Sequence, residues 1–117
     1  MPILISFKKS PKKDKKYVMV FRNPRRTLHF GSKTSVESGS EEKKNAYLKR
    51  HRVNEDWTKI NAGSASRFIL WGDSKSVDKN LEDYIKRFKI KDARNIPKQY
   101  IPESLTDEDL AKQVKSI

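Results

Sequence analysis

The chain has 117 residues, of which 34% are hydrophobic and 36% charged, with a formal charge of +12. Such a composition supports one modest core in one domain, and the lack of cysteine excludes disulfides and thiol chemistry. No apolar run approaches the roughly 20 residues of a membrane span. The short run in MPILISFKKS is followed, not preceded, by positive charge, so it reads as no signal peptide, and a soluble protein made in the cytoplasm is expected.

The charge is unevenly placed. Residues 1–35 hold ten Lys/Arg against one acid, Asp14, a net +9, whereas residues 92–117 hold four against five, a net −1. A basic front calls for an anionic partner: nucleic acid, an acidic protein or a lipid surface.

Along the chain, residues 3–7 (ILISF) read as a first strand and residues 8–16 (KKSPKKDKK) as a lysine-rich connector or arm. Tyr17-Val18-Met19-Val20-Phe21 and Thr27-Leu28-His29-Phe30-Gly31 flank the turn signal Asn23-Pro24, which predicts a β-hairpin. Residues 32–40 (SKTSVESGS) read as a loop. Ser38-Gly39-Ser40-Glu41 fits a capping box for a helix over 41–53, with Tyr47, Leu48 and His51 on one side. A second helix is predicted over 62–71, ending at Gly72.

The third helix has the clearest pattern, because Val77, Leu81, Tyr84, Ile85 and Phe88 form one stripe at helical period. Pro97 and Pro102 then make an extended connector. Thr106-Asp107-Glu108-Asp109 caps a short last helix with Leu110, Val114 and Ile117 on its apolar side.

Residues that would carry catalysis are scarce. His29 and His51 are isolated, no acidic cluster has metal-ligand spacing, and 62–66 (AGSAS) lacks the glycines and the Lys-Ser/Thr of a phosphate loop. Ser64 and Ser66 sit in no nucleophile elbow, and Glu55-Asp56 and Glu82-Asp83 read as solvated surface. No catalytic, metal or cofactor site and no small-molecule substrate is expected. The functional signal left is basic. Lys8, Lys9, Lys12, Lys13, Lys15, Lys16, Arg22, Arg25 and Arg26 are candidate contacts to a partner or anion. No sequence-reading nucleic-acid motif accompanies them.

Four pieces in order resemble a known family: Leu28-His29-Phe30-Gly31-Ser32-Lys33; Tyr47-Leu48-Lys49-Arg50-His51 with Trp57; Ala62-Gly63 with Ser66-Arg67-Phe68-Ile69-Leu70-Trp71; and Tyr84-Ile85-Lys86-Arg87-Phe88. Together, over residues 17–88, they are similar to small basic proteins of nucleocytoplasmic large DNA viruses, the giant viruses. The loop at 34–40 and the segment 61–65 depart from that pattern. The resemblance implies no enzymatic activity. It implies a virion protein, placed in the capsid or beside the genome.

The expected fold is α+β: an N-terminal hairpin or short antiparallel sheet packed on about three helices, with extended terminal segments. Residues 1–16 form a basic arm, 17–91 the domain and 92–117 an extension. Trp57, Phe68, Ile69, Trp71, Leu81, Tyr84, Ile85 and Phe88 fill the core. The expected function is that of a minor capsid protein, a cement whose partners are other capsid proteins and whose docking tail is Leu110, Val114 and Ile117. The alternative is a nucleic-acid-binding protein without sequence preference.

Overall fold

The structure is a computed structural model and describes residues 2–32, 41–102 and 104–114. The α+β class holds. Strands β1 (Ile3–Lys9), β2 (Lys15–Arg22), β3 (Arg26–Ser32) and β4 (Lys91–Asp92) form one sheet in the order β3-β2-β1-β4. It is mixed rather than purely antiparallel. β1–β2 and β2–β3 are antiparallel, whereas β4 runs parallel to β1, with Ile3 opposite Lys91 and Leu4 opposite Asp92.

The expected N-terminal arm is therefore sheet over residues 3–9 and 15–16. β1 is an interior strand, held on its second side by Lys91 N–H donating to the Pro2 carbonyl and Ala93 N–H to the Leu4 carbonyl, both at 2.9 Å. Its register shifts between Leu4 and Ser6. With strict alternation Leu4 and Phe7, three apart, would point to opposite faces. The bulge returns Phe7 to the face of Leu4, where they lie opposite Met19 and Phe21 of β2.

That face carries the main core. Leu4, Met19, Phe21, Leu28 and Phe30 meet the helices through Tyr47, Ile69, Leu70, Trp71, Leu81, Tyr84 and Ile85. Helix α1 spans Glu41–His51, two residues shorter than expected, and the Ser38–Ser40 part of its predicted cap lies outside the described residues. Helix α2 begins as an α-turn, Ala62–Ala65, and continues as a π-turn, Ser66–Leu70. Asn61 starts it with a capping box to Ser64. Helix α3 (Val77–Arg87) is capped by Ser76 and buries Leu81, Tyr84 and Ile85 of the predicted stripe, with Val77 and Phe88 half-buried beside them.

Of the expected core residues, Ile69, Trp71, Leu81, Tyr84 and Ile85 are buried, and Phe68 and Phe88 pack half-buried against them. Trp57 is a correction. It lies half-exposed at the rim, its indole N–H donating to Glu55 Oε1 at 3.2 Å with Arg67 over its ring. The run of small residues before Phe68 is used as expected for close approach: Ser64 and Ala65 are fully buried, and the Ser64 hydroxyl reaches the Tyr84 hydroxyl at 2.8 Å.

The described part of the expected C-terminal extension packs back on the sheet. Helix α4 (Asp107–Gln113), capped by Thr106 as predicted, lies over the opposite face of the sheet. There Leu110 and Val114 join Ile3 and Ala93 in a second core, with Ile5, Ile96, Ile101 and Leu105 packed around it. The candidate docking tail is thus covered by its own chain, because the bulged β1 offers Ile3 and Ile5 on that face. Ile117 lies outside the described residues.

Candidate nucleic-acid interface

The β1–β2 connection gathers the lysines. β1 and β2 extend into the predicted connector, which leaves only residues 10–14 as a turn. Ser10 N–H donates to the Lys16 carbonyl at 3.0 Å and Lys15 N–H to the Lys12 carbonyl at 3.3 Å. The Ser10 hydroxyl accepts from Lys12 N–H at 3.1 Å and meets His29 Nδ1 at 2.7 Å. Buried Ser10 thus ties the tip to β3 and explains His29 as a structural residue.

This geometry makes the tip an ordered knuckle. Lys8, Lys9, Lys12 and Lys13 are exposed on it, and Lys15 and Lys16 are half-buried at its base. Among the described residues, Lys8, Lys9, Lys12, Lys13 and Lys15 have no carboxylate within ion-pair distance. Their charge faces solvent uncompensated, with Asp14 the one acid in the turn.

Helix α1 brings further cations beside the knuckle. Lys15, Arg50 and His51 line one cleft of about 240 Å3. Lys16, Lys44 and Lys75 line another of about 600 Å3, with Glu41 and Asp73. Lys44 Nζ lies 3.3 Å from Asp73 Oδ1. The helix is fixed to the body by three stacked rings: Tyr47 lies between His51 at 4.3 Å and Trp71 at 4.7 Å. His51 Nδ1 sits 3.3 Å from Glu55 Oε1.

The arginines of the candidate set lie elsewhere. β2 separates the lysine end from the arginine end by roughly 23 Å of strand. Arg22 is a correction: it is buried, its Nε donates to Asp107 Oδ1 at 2.8 Å, and its Nη2 donates to the Leu105 carbonyl. It holds α4 in place. Arg26 is exposed and donates to the Ile60 carbonyl at 2.7 Å, and Arg25 is exposed beside it.

Sequence reasoning found the knuckle lysines but missed the α1 cations beside them, because their proximity is set by the Tyr47–Trp71 stack between distant segments. Asn80 was missed too, and its position one residue before Leu81 in the apolar stripe was the available signal. Among the described residues no three His, Asp or Glu side chains converge as a metal site, and no helix is long and apolar enough to cross a membrane.

Compared with known proteins, residues 5–51 match the model of a family of unknown function, DUF5754. The matched segment runs from β1 through α1, and so contains the knuckle and its flanking helix. No curated protein and no solved structure matches the chain.

Proposed function

We propose that the protein binds nucleic acid without reading its sequence, through the lysine knuckle of β1–β2 and the cations of α1. The observation that supports this most is the ordered, uncompensated cluster of Lys8, Lys9, Lys12, Lys13 and Lys15 beside Arg50. Phosphate contacts of this kind supply affinity and orientation but no base discrimination. In the setting the family resemblance implies, the polyanion is the genome or transcripts of a large DNA virus.

Beside the family resemblance, the capsid-cement reading drew support from two apolar termini expected to lack cover. Ile3, Leu110 and Val114 cover one another within the chain, so that support is gone.

The test is binding to unrelated DNA duplexes across a salt series. Replacing Lys8, Lys9, Lys12 and Lys13 by Gln should leave the fold intact. The slope of log K against log salt should then flatten by about 0.9 for each phosphate that is no longer neutralised. A control replacing Lys59, Lys79, Lys89 and Lys112, also exposed, removes the same charge elsewhere and should bind far more tightly than the knuckle variant. Equal binding by the two variants, or no salt-dependent binding by the parent, overturns the reading.

A further inference from the structure

A second cationic feature lies on the far side of α2. Arg67 and Arg87 both stand over the ring of Phe68, with their Cζ atoms 5.0 and 4.1 Å from its centroid. Arg67 also lies 5.4 Å from the Trp57 ring. Two like charges on one phenyl ring repel each other, and cation–π attraction offsets this by only about 0.5–2 kcal/mol for each. An ordinary surface would separate them or give each a carboxylate.

Asp73 acts on Arg67 only from beyond ion-pair distance. Among the described residues neither guanidinium has an acid within ion-pair distance. Asp83, one helical turn before Arg87 on α3, is the natural partner at i, i+4, yet Arg87 turns to Phe68 instead. Arg67 donates through Nη1 to the Trp71 carbonyl at 3.1 Å, and its Nε is buried with no acceptor. Burial lowers its pKa from the ordinary arginine value, the sign of a charge deprived of water without full compensation.

Both arginines and Lys86 line an open cavity of about 550 Å3. Its other polar walls are occupied. Asn80 gives its amide hydrogens to the Ile69 and Ser74 carbonyls, and the Tyr84 hydroxyl meets Ser64. The donors with spare capacity are therefore cationic. Planar guanidinium forks match tetrahedral oxyanions with paired hydrogen bonds, and a dianion neutralises two of them. Asp73 and Asp83 also line the cavity. Asp73 pairs with Lys44 and its charge also acts on Arg67, so both Asp73 and Asp83 oppose an anion.

We propose that Arg67 and Arg87, with Lys86 beside them, form a site for a dianionic phosphate, either free or as a monoester. The site does not rest on the knuckle lysines, none of which lines its cavity, although that cavity shares Gly72, Asp73 and Asn80 with the cleft that Lys16 and Lys44 line.

The test follows the arginine side-chain Nε–Hε signals of the full-length chain by NMR at pH 7.5 and constant ionic strength. The probes are inorganic phosphate and phenyl phosphate, with phenol and acetate as controls. Saturable one-to-one shifts at Arg67 and Arg87 are expected from the two phosphates and none from the controls. Equal affinity for both phosphates assigns the free ion, and tighter phenyl phosphate assigns an ester. Arg87→Gln, an exposed position, should weaken binding about tenfold, because it removes a charge-assisted pair of hydrogen bonds. Asp83→Asn should tighten binding about threefold by removing the opposing charge. Neutralising Lys8, Lys9, Lys12 and Lys13 should leave the shifts in place. Non-saturating shifts spread over the surface cations, or unchanged affinity in both Arg87→Gln and Asp83→Asn, overturn the proposal.

Discussion

Arg22 of β2 donates to Asp107 of α4 at 2.8 Å, across 85 residues of sequence. The Arg22 side chain is 9% exposed and that of Asp107 33%, so the pair is partly desolvated. Removing either partner leaves a charge short of compensation. Arg22→Leu or Asp107→Asn should destabilise the protein by about 2 kcal/mol and open α4 first, read as faster amide exchange at Leu110 and Val114 than at Leu81. Deleting residues 107–117 should cost more, because Ile3 and Ala93 lose their cover. Burial of Leu110 alone is worth about 1.5–3 kcal/mol. A truncated chain that melts like the parent would show that the second core contributes nothing.

Gly72 sits where the chain leaves α2 against α3. A β-carbon there would run into the Phe68 carbonyl and come within 2.6 Å of Asn80 Cγ. Buried Asn80 cannot yield, since it bonds the Ile69 and Ser74 carbonyls and accepts from Ser74 N–H. Gly72→Ala should therefore lower stability by about 1–3 kcal/mol through overpacking, checked by chemical denaturation. Asn80→Ala should cost at least as much by leaving those backbone groups unpaired.

Burial pushes the Tyr84 phenol up to about 12 from the ordinary 10, against the weaker opposing effect of its hydrogen bond with Ser64. The native state then holds the proton at pH values where the unfolded chain has released it. The stabilisation is full below about pH 10 and is lost as pH rises to about 12, a total of roughly 3 kcal/mol. Spectrophotometric titration should show the Tyr84 phenol ionising at about pH 12. Tyr84→Phe should flatten the stability profile over that window.

Local pattern was enough to read most of the elements. The β-branched and aromatic run Tyr17–Phe21, the stripe from Val77 to Phe88 and the Thr106 cap each depend on neighbours a few residues away, and each has its structural counterpart. What escaped was long-range. β4 has two residues and no period of its own; it exists because the Pro2 and Leu4 carbonyls accept from Lys91 N–H and from Ala93 N–H just beyond it. The apolar side of α4 was legible, but its cover was not, since Ile3 lies more than a hundred residues away in sequence. The knuckle lysines were visible as composition. Their ordering by Ser10 and His29, and the gathering of Arg67 and Arg87 on Phe68, depend on tertiary geometry alone.

The pairing of β1 with β4 also bears on how the chain is made. β1 is synthesised some eighty residues before β4, so one of its two edges stays open until residues 91–93 have been translated and have left the ribosome. During that interval β1 and β2 can zip together as a local hairpin, while Ile3 and Ile5 stay exposed for want of Ala93 and Leu110. Contacts of such sequence separation close slowly, and an open apolar strand edge invites pairing with another chain. The lysines of the knuckle are available throughout, so a nascent hairpin carries its charge repulsion against neighbouring copies before its cover arrives.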